Sequence, residues 1–108
     1  MKKGTFNITT IEGSEERTGY LFKYDGVAFG VHSRSKNWYV LTELTSGYEV
    51  PLPIKAGVHK RSRNDIKDFL LSKDGEACMK KVKEAVAAIV DTPKFDVDLD
   101  SLPELEEN

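Results

Sequence analysis

The chain has 108 residues, 39% of them hydrophobic and 31% charged, with a net charge of −2. A chain of this length and composition forms one domain with a single modest core and a well-solvated surface. Its longest apolar run is six residues, Ala85 to Val90, against about 20 for a membrane span, and no apolar stretch follows Lys2 and Lys3 as a leader would require.

The expectation is therefore a cytoplasmic protein with no membrane partner. Cys78 is the sole cysteine, so no internal disulfide can form, in keeping with a reducing compartment.

The first half reads as strands. Thr5 to Ile11 is β-branched and partly alternating, and Glu12 to Glu16 is a polar turn. Tyr20, Phe22 and Tyr24 alternate cleanly. Asp25-Gly26 follows, a strong hairpin signal. Val27, Phe29 and Val31 continue one face of the next strand, and Ser33 to Asn37 is a polar turn. Trp38, Val40, Thr42 and Leu44 then alternate with Tyr39, Leu41 and Glu43. Taking the first set as core-facing leaves Leu21, Ala28, Tyr39 and Leu41 on the opposite sheet face. After Thr45-Ser46-Gly47, residues Tyr48, Val50 and Leu52 make a short fifth strand, which Pro51 and Pro53 should confine to an edge or end early.

The second half reads as helices. Ser62 and Asp65 have capping-box spacing, ahead of an apolar face at Ile66, Phe69 and Leu70. Ser72 to Gly75 interrupts. Cys78, Val82, Ala85, Val86 and Ile89, with Met79 alongside, then form a second amphipathic helix, which Thr92-Pro93 should stop. The predicted fold is α+β: an antiparallel β-meander of four to five strands, then two helices packed on one face, then an acidic C-terminal tail. One domain spans residues 4–92, and residues 93–108 are the tail. A sheet covered on one side leaves its second face for the tail, for a second subunit in a homodimer, or for a partner.

Few residues suggest chemistry. His32, His59 and Cys78 lack the close spacing of a zinc site, and Cys78 falls at a buried helical phase rather than in an activated position. Neither the G-x-S-x-G elbow nor the phosphate-cradling glycine loop is present. The expectation is a protein that is not an enzyme, with no cofactor and no metal.

The charge, by contrast, is blocked. Lys55, Lys60, Arg61 and Arg63 give +4 within nine residues, and from Asp91 onward seven acids against Lys94 give −6. "KAGVHKRSR" leads into a helix N-terminus, where Lys55, His59, Lys60, Arg61 and Arg63, with the aromatic rings of Trp38 and Tyr39, would suit single-stranded nucleic acid. "KFDVDLDSLPELEEN" interleaves Phe95, Val97 and Leu99 with Asp96, Asp98 and Asp100, then adds Glu104, Glu106 and Glu107. That period-two pattern is spaced for an extended segment. It could dock by β-addition on a partner or on an open edge of its own sheet, compete with nucleic acid for a basic surface, or serve only as a solvated terminus.

"KYDGVAFGVHSRSKNWYVLTELTSGYEVP", followed by a basic segment and an amphipathic helix, resembles small accessory proteins carried by phages and mobile elements of low-GC bacteria. The resemblance covers about half the chain. It implies a binding protein that modulates host defence or nucleic-acid metabolism. The order of elements is also similar to that of PC4-like single-stranded DNA-binding domains, which dimerise. The functional expectation is a protein-interaction module whose acidic tail meets a partner with a basic or nucleic-acid-binding surface. Binding of single-stranded nucleic acid by the basic loop is the alternative, and an oligomerising structural unit is the third reading.

Overall fold

The structure, a computed structural model, describes residues 1–105. Four antiparallel strands run in sequence order: β1 (Lys2–Thr10), β2 (Gly13–Tyr24), β3 (Val27–Ser35) and β4 (Trp38–Glu43). Two helices follow, α1 (Arg63–Leu71) and α2 (Lys73–Ala88). The β2–β3 turn has positive φ at both Asp25 (52°) and Gly26 (77°). That backbone matches the twist of the flanking strands and is why Asp-Gly marks the position. The first turn is shorter than its polar composition suggests. It holds only Ile11 and Glu12, because Gly13 to Glu16 pair with β1, and an edge ladder needs no apolar side chains.

Ser62 accepts from the Asp65 N–H, and Asp65 accepts from the Ser62 N–H, completing the capping box. Ser72 alone separates the helices. Its N–H donates to the Phe69 carbonyl, and its hydroxyl oxygen accepts from the Gly75 N–H. Only glycine fits at position 75, since a Cβ there would lie 2.2 Å from the Phe69 carbonyl oxygen. Helix α2 ends at Ala88, ahead of Thr92-Pro93, with Ile89 as its C-cap.

The main core lies between the sheet and the helices. Phe22, Phe29, Val31, Leu41, Ile66, Leu70, Met79 and Val82 meet there. Leu41 and Tyr39 belong to this helix-side cluster, which corrects the parity read from the sequence. Val31 pairs with Leu41 and Ser33 with Tyr39, and the register shifts between Ser33 and Ser35. A one-residue slip exchanges the two faces of a strand. In β4 both alternating sets are apolar enough to be buried, so pattern alone could not choose between them.

Beyond β4 the chain turns back. Glu43 N–H donates to the Tyr48 carbonyl and Val50 N–H to the Leu41 carbonyl, 3.0 and 2.8 Å. The expected fifth strand is reduced to a Thr42–Glu49 bridge, and Pro51 has no N–H to extend it. The turn also reaches the far edge of the sheet, where Thr9 N–H donates to the Gly47 carbonyl at 2.8 Å. The sheet is therefore strongly curled, with its second face on the inside of the bend.

The C-terminal segment crosses that second face. Lys94 and Phe95 N–H groups donate to the Thr45 carbonyl. Val97, Leu99 and Leu102 pack with Phe6, Leu21, Ala28 and Leu44 in a second apolar cluster. A 3₁₀ turn, Leu99–Ser101, redirects the chain. Lys23 N–H then donates to the Pro103 carbonyl, and Leu105 N–H to the Lys23 carbonyl, 2.8 and 2.9 Å. This parallel bridge uses the edge of β2 that opens where β1 stops at Lys2, opposite Leu21. Leu105 enters the main core.

Candidate functional site

Alternation in the C-terminal segment sorts its side chains. Phe95, Val97 and Leu99 are half-buried, while Asp96, Asp98, Asp100 and Glu104 are exposed. Asp96 and Asp98 precede the 3₁₀ turn, where residues two apart in an extended chain lie about 6.5 Å apart, while Asp100 sits within the turn. The Asp98 carboxylate also caps the 3₁₀ turn by accepting from the Asp100 N–H at 3.2 Å. The backbone bonds to Thr45 and Lys23 tether the row at both ends, and Lys94 Nζ adds a 2.6 Å bond to the Gly13 carbonyl. Glu106 and Glu107 lie outside the described residues.

The basic connection is arranged differently from the stacking surface its composition suggests. Lys55, His59 and Lys60 are exposed. Arg61 lies across Trp38, its guanidinium carbon 4.4 Å from a ring centroid, and its Nε donates to the Tyr39 carbonyl at 2.8 Å. Arg63 covers Tyr20 at 3.7 Å. Tyr39 packs against the main core. The aromatic rings near the loop are thus engaged by the protein's own arginines and core.

A third region escaped sequence reasoning. On the second sheet face, beside the area closed by the C-terminal segment, lies a pocket of about 270 Å³. Its walls include Thr9, Arg17, His32, Arg34, Thr42 and Glu49. Arg34 pairs with Glu49, and Arg17 with Glu15. His32 is 8% exposed and meets Phe6 edge-on, with ring centroids 5.9 Å apart. Burial lowers its pKa, and the cations Arg17 and Arg34 lower it further. Among the described residues, the buried side-chain nitrogens without a hydrogen-bond partner are His32 Nδ1 and Arg61 Nη1. Arg34 acts on both groups, since its field also lowers the pKa of Arg61 after burial has done so. These residues come from all four strands and the turn after β4, and no linear spacing announces their meeting.

Cys78 is half-buried on the wall of an apolar groove of about 780 Å³ between α2 and residues 48–53. Burial pushes its thiol pKa up, against the opposing field of Lys81, so the reactive thiolate is disfavoured. Among the described residues no group of three or more His, Cys, Asp and Glu side chains is placed to hold a metal ion. No helix among them is long and apolar enough to cross a membrane. Comparisons with protein-family models, curated proteins and solved structures found no match.

Proposed function

We propose that this chain is a non-enzymatic protein-interaction module. It presents the row Asp96, Asp98 and Asp100, continued by Glu104, to a basic or nucleic-acid-binding surface of a partner protein. The observation that carries this reading is the inward packing of Phe95, Val97 and Leu99, which leaves the acids exposed on a tethered segment. A charge row ordered before contact loses less conformational entropy on association than a free arm would. The role agrees with the resemblance to phage accessory proteins that inhibit or modulate a host factor.

The test is affinity capture from a bacterial lysate with and without nuclease, comparing the parent chain with the triple variant Asp96→Asn, Asp98→Asn, Asp100→Asn. Asparagine can keep the cap at position 98, so the variant changes charge rather than fold. The expected outcome is nuclease-resistant, salt-sensitive capture of a basic protein by the parent and its loss in the variant. Equal capture by both would remove the acidic row from the mechanism.

The second reading is binding of single-stranded nucleic acid by the loop. The exposure of Lys55, His59 and Lys60 favours it, and the occupation of Trp38 by Arg61 weakens its stacking component. Retarded migration of a labelled oligonucleotide at low salt, reduced by Lys60→Ala, would support it.

A further inference from the structure

We propose that the pocket around His32 binds a small oxyanion of the phosphate type, held between the Arg17 and Arg34 guanidiniums and hydrogen-bonded by the His32 imidazole. Two arginines lining one concavity are suited to an anion with several acceptor oxygens, because each fork, once released from its present acceptors Glu15 and the Glu16 carbonyl on Arg17 and Glu49 on Arg34, can engage a separate pair. The hydroxyl-bearing residues Thr9, Ser33 and Thr42 line the same pocket. Thr9 already donates to the Ser46 carbonyl, and the Ser33 hydroxyl to the Ser35 carbonyl.

The His32 ring is the reporter of the site. A polar atom shut away from water with no partner is destabilising. His32 Nδ1 is in that state; closed to water, it is closed to an anion's oxygen as well, so contact with a ligand falls to the rest of the ring, which lines the pocket. Glu49 shows what the arginine accepts. Its carboxylate is the oxyanion that Arg34 engages from within the chain. Both Arg34 and Glu49 are substantially exposed in this pair, at 57% and 38%, and exposed ion pairs are weak. An incoming dianion that spans both arginines can therefore displace it. The pocket volume falls just below the roughly 300–1,000 Å³ that drug-sized ligands fill, which favours free phosphate or a compact phosphoester over a whole nucleotide.

The experiment titrates the full chain with inorganic phosphate and, in parallel, with glycerol phosphate. Ionic strength is held constant at neutral pH, and the His32 ring resonances are followed by NMR. The expected result is a saturable shift. Arg17→Ala and Arg34→Ala should each weaken binding about tenfold or more, the loss of one charge-assisted hydrogen-bond partner, with unchanged circular dichroism. Glu49→Gln should tighten it by removing one of the two internal carboxylates, the other being Glu15 on Arg17. Tighter binding of the ester would assign a phosphoester ligand, and tighter binding of the free ion would assign phosphate itself. The proposal is overturned if neither compound shifts His32 in the parent or in Glu49→Gln, or if the arginine variants bind as the parent does. It is equally overturned if only a single-stranded oligonucleotide produces the shift.

Discussion

His32 and Glu43 are buried polar residues with opposite solutions. Glu43 is 5% exposed, and its carboxylate accepts from the Thr45 N–H, the Thr45 hydroxyl and the Ser46 N–H at 2.7–3.0 Å. It organises the turn that carries Gly47 to Thr9. Glu43→Ala is expected to cost about 1–3 kcal/mol, since it strands those donors. Urea denaturation should measure the loss, and faster amide exchange at Thr45 and Ser46 should locate it. His32 lacks such satisfaction. Burial, then Arg17 and Arg34, hold its folded pKa below the ordinary 6.5. The unfolded chain therefore binds the proton more readily. The stability from a neutral His32 is complete above 6.5 and is lost as pH falls from 6.5 toward the folded value. Denaturation midpoints should decline across that interval, and His32→Gln should flatten the decline. A slope identical in the variant would place the pH response elsewhere. Neither role was legible in the sequence, where Glu43 was one acid in an alternating strand and His32 a candidate ligand without neighbours.

Between elements, the decisive contacts belong to the C-terminal segment. Leu102 and Leu105 are 6% and 8% exposed and enter different clusters on the two sides of the sheet. Leu102→Ala should cost about 2–5 kcal/mol, the usual penalty for truncating a buried leucine. Asp100→Asn, one position from the apolar contacts and exposed, should stay within about 0.5 kcal/mol. A calorimetric comparison of the two separates packing from charge. It also means that removing residues 94–105 would unseat the second cluster, so a binding defect in such a truncation would not identify the acidic row. The sequence spacing of Phe95, Val97 and Leu99 correctly marks one apolar side, but the chain bends at 94–95 and enters the 3₁₀ turn at Leu99, so the continuous extended segment it suggests is not formed. It does not reveal that β-addition occurs later, at residues 103–105, because that depends on where β1 happens to end along β2.

Over the whole molecule, charge and apolar surface are divided by the same device. The curled sheet closes one part of its second face with the chain's own terminus and leaves the other part as a basic pocket. The acidic row and the exposed basic loop supply the charged surfaces on which the two functional readings depend. If the acidic row meets a basic partner, affinity should fall steeply as salt rises, and the triple Asp→Asn variant should show a shallower dependence. Parallel salt curves for parent and variant, measured by calorimetry with the captured partner, would count against the row as the point of contact.

The local features were settled by the sequence. Asp25-Gly26 makes its hairpin because the turn needs positive φ, Ser62 and Asp65 cap α1 because their groups reach each other's amides, and the three- and four-residue spacing of Ile66, Phe69 and Leu70 puts an apolar stripe in the core; in α2 the stripe read from Cys78 to Ile89 is buried only at Val82, with Met79 beside it, and Ala85 is exposed. The first three are interactions between near neighbours, so residue order suffices. Tertiary structure alone decided which face of β4 meets the helices, where the C-terminal segment adds to the sheet, and that Arg17, His32 and Arg34 share one pocket. Each depends on strand register and sheet curl, which are set by the packing of distant residues rather than by the spacing of adjacent ones.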